Sequence, residues 1–123
     1  MVKSDKKLLV VDDDHMMREF TERVLISLGH ECVTAGDAAS ALLRLQDDAD
    51  IRVLIIDIRL GCGPGGAQLA KDVLAIKPDL GIILTSGDPD ALQTAKMKIK
   101  QNVEVLPKPY RRRDLAARLS VWL

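Results

Sequence analysis

Val53-Leu54-Ile55-Ile56-Asp57 is a run of four apolar residues closed by a single carboxylate. A strand with one wet face alternates apolar and polar residues; a run apolar at consecutive positions is expected of a strand buried on both faces, as in a parallel sheet. Four more short apolar runs flank it, at residues 8–11, 32–35, 82–84 and 103–106, with longer stretches of helical period between them. That alternation predicts an α/β chain, a doubly wound five-stranded parallel sheet with helices on both faces.

The helical stretches carry their own stripes and stops. Met17, Phe20, Val24 and Leu28 give one apolar stripe with Gly29 as its stop. Ala38, Ala41, Leu42 and Leu45 follow an Asp37 cap, and Leu69, Ala70, Val73 and Leu74 end before Lys77-Pro78. Asp88-Pro89 is a cap with proline in the first turn, and Leu92, Ala95 and Ile99 face inward behind it. Leu115, Leu119 and Trp122 form the last stripe.

At 123 residues the length prior is one domain over 1–123, with no output domain, and folding should bury roughly two-thirds of the unfolded chain's surface. Lys plus Arg and Asp plus Glu both number 18, so bulk charge argues against direct nucleic-acid or anionic-membrane binding. Cys32 and Cys62 form no CxxC pair, so zinc and thioredoxin-type readings lack ligands or spacing. The amino terminus holds neither a signal peptide nor a membrane span, and the expected setting is the reducing cytoplasm without membrane insertion.

In such a sheet, functional groups gather where strands end. The first run ends in Asp12-Asp13-Asp14 and the third in Asp57. In the flavodoxin-like winding order 2-1-3-4-5 the first and third strands are neighbours, so Asp12, Asp13 and Asp57 converge. Clustered carboxylates call for a hard divalent cation with oxygen ligands, Mg²⁺ being the commonest. Asp14 caps the first helix, but capping does not account for Asp57. The fourth run ends in Thr85-Ser86-Gly87 and the fifth in Pro107-Lys108-Pro109. A hydroxyl, an ammonium and a metal-bound carboxylate about one point make a receptor for a phosphoryl group.

With Asp12-Asp13, Asp57, Thr85 and Lys108-Pro109 in this order, the chain closely resembles the receiver domain of two-component response regulators, over essentially its whole length. The resemblance implies that Asp57 takes a phosphoryl group from a phosphohistidine on a histidine kinase or histidine phosphotransfer protein. It implies that Asp13, Asp57 and the backbone carbonyl of Arg59 ligate Mg²⁺, with Asp12 acting on the metal through water. Lys108 pairs with the phosphoryl oxygens, Thr85 swings in to hydrogen-bond them, and the Lys108–Pro109 peptide is cis. Such a domain is a phosphoacceptor switch rather than an enzyme, and a single-domain one signals to a downstream protein target by contact.

Three departures stand out. Val105 occupies the position where receivers commonly carry the Tyr or Phe that changes rotamer with the Thr, and Tyr110 reads as a packing residue instead. Gly61 replaces the usual proline four residues after the acceptor, in a glycine-rich loop about one residue longer than usual, which is expected to be mobile without phosphate or metal. Arg59 and Gly87 stand at the positions that tend to tune access of water to the phosphoryl group. In receivers the fourth helix, fifth strand and fifth helix form the common output and dimer face. Lys96, Lys98, Lys100, Arg111, Arg112 and Arg113 there would suit an acidic partner or a homodimer. Met16 is a candidate contact for a histidine-bearing helix and Met17 a core residue; His15 and His30 read as surface residues. Other readings are a receiver cut from a hybrid kinase or longer regulator, a phosphorylation-independent scaffold, and a dehalogenase-like hydrolase, whose second Asp is Arg59 here. No P-loop motif is present.

Overall fold

The computed structural model describes residues 7–61, 63–99 and 103–122. The segment before residue 7, Cys62 of the glycine-rich loop and Lys100 of the basic run lie outside them. Strands and helices alternate: β1 Lys7–Val11, α1 His15–Ser27, β2 Glu31–Ala35, α2 Ala38–Asp47, β3 Ile51–Asp57, α3 Gly66–Ile76, β4 Gly81–Ser86, α4 Pro89–Lys98, β5 Val103–Pro107 and α5 Arg112–Leu119. The strands are all parallel, in the order β2-β1-β3-β4-β5.

Consecutive apolar residues in the strands serve two separate cores. Leu9, Val11, Leu54, Ile56, Ile82 and Leu84 face α2, α3 and α4, packing with Leu45, Leu69, Val73 and Leu92. Leu8, Val10, Val53, Ile55, Ile83 and Leu106 face the other way, onto Leu25, Tyr110, Leu115 and Leu119. A strand side chain alternates faces at every residue, so a sheet covered on both sides needs apolar residues at both parities. β2, at one edge, is mostly half-exposed.

The helix starts follow the sequence signals. The carboxylate of Asp14 accepts from the N–H groups of Met16 and Met17, that of Asp37 from Ser40, and that of Asp88 from Asp90 and Ala91. Each satisfies first-turn donors that have no partner within the helix. Past α1, Gly29 takes φ +89°, the left-handed conformation that favours glycine at a helix end.

Two expectations change. The α1 stripe is rotated: Thr21 and Leu25 are its buried residues, Met17, Val24 and Leu28 pack beside them, and Phe20 is 43% exposed. Thr21 can turn inward because Tyr110 supplies a polar partner, while Phe20 lies at the margin with its ring centroid 6.1 Å from that of Tyr110. Of the three arginines that open α5, one side chain turns away from α4. Arg112 reaches back to Ser27 at the end of α1, its Nε 3.0 Å from the hydroxyl and Nη2 3.3 Å from the carbonyl oxygen. There the guanidinium meets the partial negative charge of a helix carboxyl end. Asp114 accepts from the Arg111 N–H at 2.8 Å, placing an acid in the first turn of α5 as well.

Candidate functional site

Parallel neighbours in register bring the strand ends to one edge. β1 and β3 run side by side with Val11 opposite Ile56, so Asp12 and Asp57 are the next residues along. Asp57 is opposite Thr85, and Ser86 is opposite Pro107, one residue before Lys108. The residues from 12, 57, 85 and 108 therefore meet because the strands pair in this order.

The carboxylates of Asp12, Asp13 and Asp57 each offer an oxygen within 4.8 Å of the others. Asp12 and Asp57 are buried and Asp13 is exposed. Lys108 binds two of them at once, its Nζ 2.7 Å from Asp57 Oδ2 and 3.2 Å from Asp12 Oδ2. Burial pushes the Asp12 carboxyl above its ordinary range, against the hydrogen bond from the Asp14 N–H and the charge of Lys108. Burial alone would pull the Lys108 ammonium down, but its bond to Asp57 and the charges of Asp12 and Asp57 outweigh that and raise it. Lys108 is thus held charged between two carboxylates.

The backbone completes the frame. Arg59 N–H donates to Asp57 Oδ1 at 2.9 Å, Asp14 N–H to Asp12 Oδ1 at 2.9 Å, and Gly61 N–H to Asp13 Oδ2 at 2.9 Å. Thr85 is 2% exposed beside Asp57, and its carbonyl accepts from Ile58 N–H at 3.0 Å. Lys108 N–H donates to the carbonyl of Ser86 at 2.9 Å, and the Lys108–Pro109 peptide is cis. Asp57, Arg59, Ser86, Gly87, Asp88 and Lys108 line a recess of about 380 Å³.

Three carboxylates and one ammonium, which bonds Asp12 and Asp57, leave two negative charges, which a divalent cation neutralises. The donor set is all oxygen, as Mg²⁺ prefers. The residues present fit that ion.

Some participants were not foreseen. Arg18 Nη1 donates to the carbonyl of Asp12 at 2.7 Å and Arg18 Nη2 lies 3.2 Å from His15 Nδ1, tying α1 to the end of β1. Ser86 Oγ accepts from the Asp88 N–H at 3.0 Å and so holds the β4–α4 turn. Arg18 lies six residues past Asp12, a spacing with no motif, whereas a serine two residues before an aspartate cap was a readable turn signal. Gly66 carries α3 tightly onto this edge, since a Cβ there would overlap the Asp57 carbonyl.

The chain matches the family described as response regulator receiver domain over residues 8–120. It is 30% identical over 118 residues to the response regulator receiver protein CpdR of Brucella abortus, an alignment covering 96% of this chain and 97% of that one. To the DNA-binding transcriptional regulator NtrC of Azospirillum brasilense it is 33% identical over 110 residues, which cover 89% of this chain and 22% of NtrC. It therefore spans nearly the whole of one relative and about a fifth of the other. The crystal structure of the receiver domain of NtrX from Brucella abortus superposes with a TM-score of 0.84 at 28% identity, covering 93% and 95% of the two chains.

Proposed function

Because the chain belongs to the response regulator receiver family, a family of phosphoacceptor signalling domains, we propose that Asp57 is its phosphoacceptor and that a phosphohistidine on a partner protein is the donor. The observation that carries this reading is the position of the Asp57 carboxylate. It is buried at the strand edge, held at Oδ1 by the Arg59 N–H and at Oδ2 by Lys108, and opens onto the recess.

In the transfer an Asp57 oxygen forms a bond to phosphorus while the phosphorus–nitrogen bond of the phosphohistidine breaks, and that bond's electron pair returns to the imidazole. Such a transfer needs alignment and charge neutralisation more than covalent help. Lys108 supplies a cation at the edge where the phosphoryl oxygens arrive. Receiver domains bind Mg²⁺ at an acidic pocket, and here Asp13, Asp57 and the Arg59 carbonyl would hold it, with Asp12 acting through water. When bound, the ion neutralises charge on the phosphoryl oxygens. Thr85, one strand over, would hydrogen-bond the phosphoryl group after transfer.

The donor's helix would dock on the apolar recess of about 560 Å³ lined by Met17, Phe20, Gly87, Lys108, Pro109 and Tyr110, with Met16, 79% exposed, beside it. Output would pass by protein contact to a downstream target, in the cytoplasm. Lys96, Met97 and Lys98 are exposed on α4 and support α4, β5 and α5 as the output or homodimer face. Val105 leaves β5 without an aromatic switch, and its carbonyl accepts from Arg118 Nε at 2.8 Å. Among the described residues no helix is long and apolar enough to cross a membrane.

Intact-protein mass after incubation with acetyl phosphate, with and without Mg²⁺, tests the reading. A single Mg²⁺-dependent phosphoryl adduct, absent from Asp57→Asn, is expected. No adduct from acetyl phosphate or from a phosphorylated histidine kinase would overturn it in favour of a phosphorylation-independent scaffold.

A further inference from the structure

Each carboxylate of the cluster has one oxygen held by a backbone N–H, but the three holds differ in kind. Asp12 is bonded by Asp14 and Asp57 by Arg59, each two residues further along the chain. These are local turns that an aspartate makes with its own backbone. Asp13 is bonded by Gly61, 48 residues away, on the loop after β3.

Asp13 is also the exposed member of the cluster, and Lys108 bonds only the other two. Repulsion from Asp12 and Asp57 favours a rotamer that takes Asp13 out into water, and the charge-assisted bond from Gly61 opposes it. Its Oδ1 has no hydrogen-bond partner among the described residues and stays open to a ligand.

Other residues at position 61 would disturb this bond. Proline, the usual residue of the family there, has no N–H to donate. A Cβ on residue 61 would sit 2.9 Å from Asp13 Oδ2, so the carboxylate would have to shift from its place. Glycine both donates and leaves room.

We propose that the Gly61 N–H is a positioning group for Asp13: it holds the carboxylate in the cluster before a divalent cation arrives and so raises the affinity for Mg²⁺. This rests on the reading that the cluster takes Mg²⁺. Backbone and side-chain donors behind a metal-ligating carboxylate set its direction, and their loss typically weakens metal affinity about 10–100-fold. The glycine loop thereby becomes part of the metal site, a role that a proline at 61 cannot fill in this way.

The test is calorimetric titration of Mg²⁺ into the whole chain and into Gly61→Pro and Gly61→Ala, with far-UV circular dichroism and Trp122 fluorescence reporting the fold. Gly61→Pro is expected to bind about 10–100-fold more weakly. Gly61→Ala, which keeps the donor but crowds Oδ2, should fall between. In an Asp13→Ala background Gly61→Pro should cost nothing more, a result that a general loosening of the loop would not produce. If Gly61→Pro does not fold, amide exchange on the native chain decides: the Gly61 amide should be protected, and exposed in Asp13→Ala. Equal affinity in a folded Gly61→Pro, a further loss in the Asp13→Ala background, or an unprotected Gly61 amide would overturn the proposal. Absence of Mg²⁺ binding by the native chain would instead remove the reading beneath it.

Discussion

The corner that carries Lys108 is fastened to α1 by one buried pair, Tyr110 and Thr21, 6% and 1% exposed. Thr21 Oγ1 donates to the carbonyl of Met17 at 3.0 Å, so its proton is committed and the Tyr110 hydroxyl must be the donor to Thr21 Oγ1. The two halves of the pair should then respond unequally to removal. Tyr110→Phe deletes a donor and leaves Thr21 with its Met17 bond, so the loss is that of one net hydrogen bond, about 1 kcal/mol. Thr21→Val strands a buried phenol without an acceptor, which costs about 1–3 kcal/mol. Thr and Val have nearly the same helix propensity, so α1 itself contributes little to the difference. With both partners apolar no group is orphaned, and the double variant should be closer to the native protein than Thr21→Val alone. Urea unfolding followed by the single tryptophan and by circular dichroism measures all four proteins under two-state conditions with a common slope. Additive losses, or Tyr110→Phe as costly as Thr21→Val, would show that Tyr110 is not the donor or that the pair is not dry.

Gly66→Ala should lose stability by about 1–3 kcal/mol and slow phosphoryl uptake, because its Cβ overlaps the Asp57 carbonyl; ordinary helix propensity predicts the opposite sign. Gly87→Ala, with nothing within 4 Å, should leave stability within about 0.5 kcal/mol, and equal effects in the two variants would contradict the packing described. Hydrogen bonds from Ser40 hold the Asp37 carboxyl below its ordinary range, and Lys7 does the same for Asp48. A group depressed in the folded state stabilises at pH values above its unfolded pKa and loses that contribution as pH falls through the folded one. Asp37→Asn, which can still cap, should therefore flatten the acid limb of the stability curve, and an unchanged limb in acid-titrated urea melts would refute this. Burial pushes the Cys32 thiol up to about 11, with the Glu22 charge adding to it. In a Cys62→Ser background its reaction with a disulfide reagent at neutral pH should be far slower folded than in urea, and equal rates would refute the burial.

Much of this molecule is local and therefore readable from the chain. Short doubly apolar runs, aspartate caps at 14, 37 and 88 and the stop at Gly29 each depend on neighbours within a few residues, and the structure places all of them as their residue types require. Carboxylates at the ends of β1 and β3 were legible for the same reason: a polar residue closing a buried strand has only the sheet edge to occupy.

What lies between elements was not readable in that way. Phe20 and Thr21 are adjacent on α1, and periodicity prefers to bury the phenylalanine. The threonine goes in because a phenol 89 residues away meets its hydroxyl, a partner no helical repeat can contain. Arg112 leaves the expected basic patch for the carboxyl end of α1, 85 residues earlier. Gly61, visible only as a missing proline, becomes the donor to Asp13 once β3 is laid beside β1. The elements, their order and the acidic edge follow from the residue string, because backbone propensity and burial of alternate faces act over a few residues. Which polar groups satisfy one another across that edge is settled by the packed chain, because a hydrogen bond depends on where a distant donor and acceptor come to rest, and packing sets that for the whole chain at once.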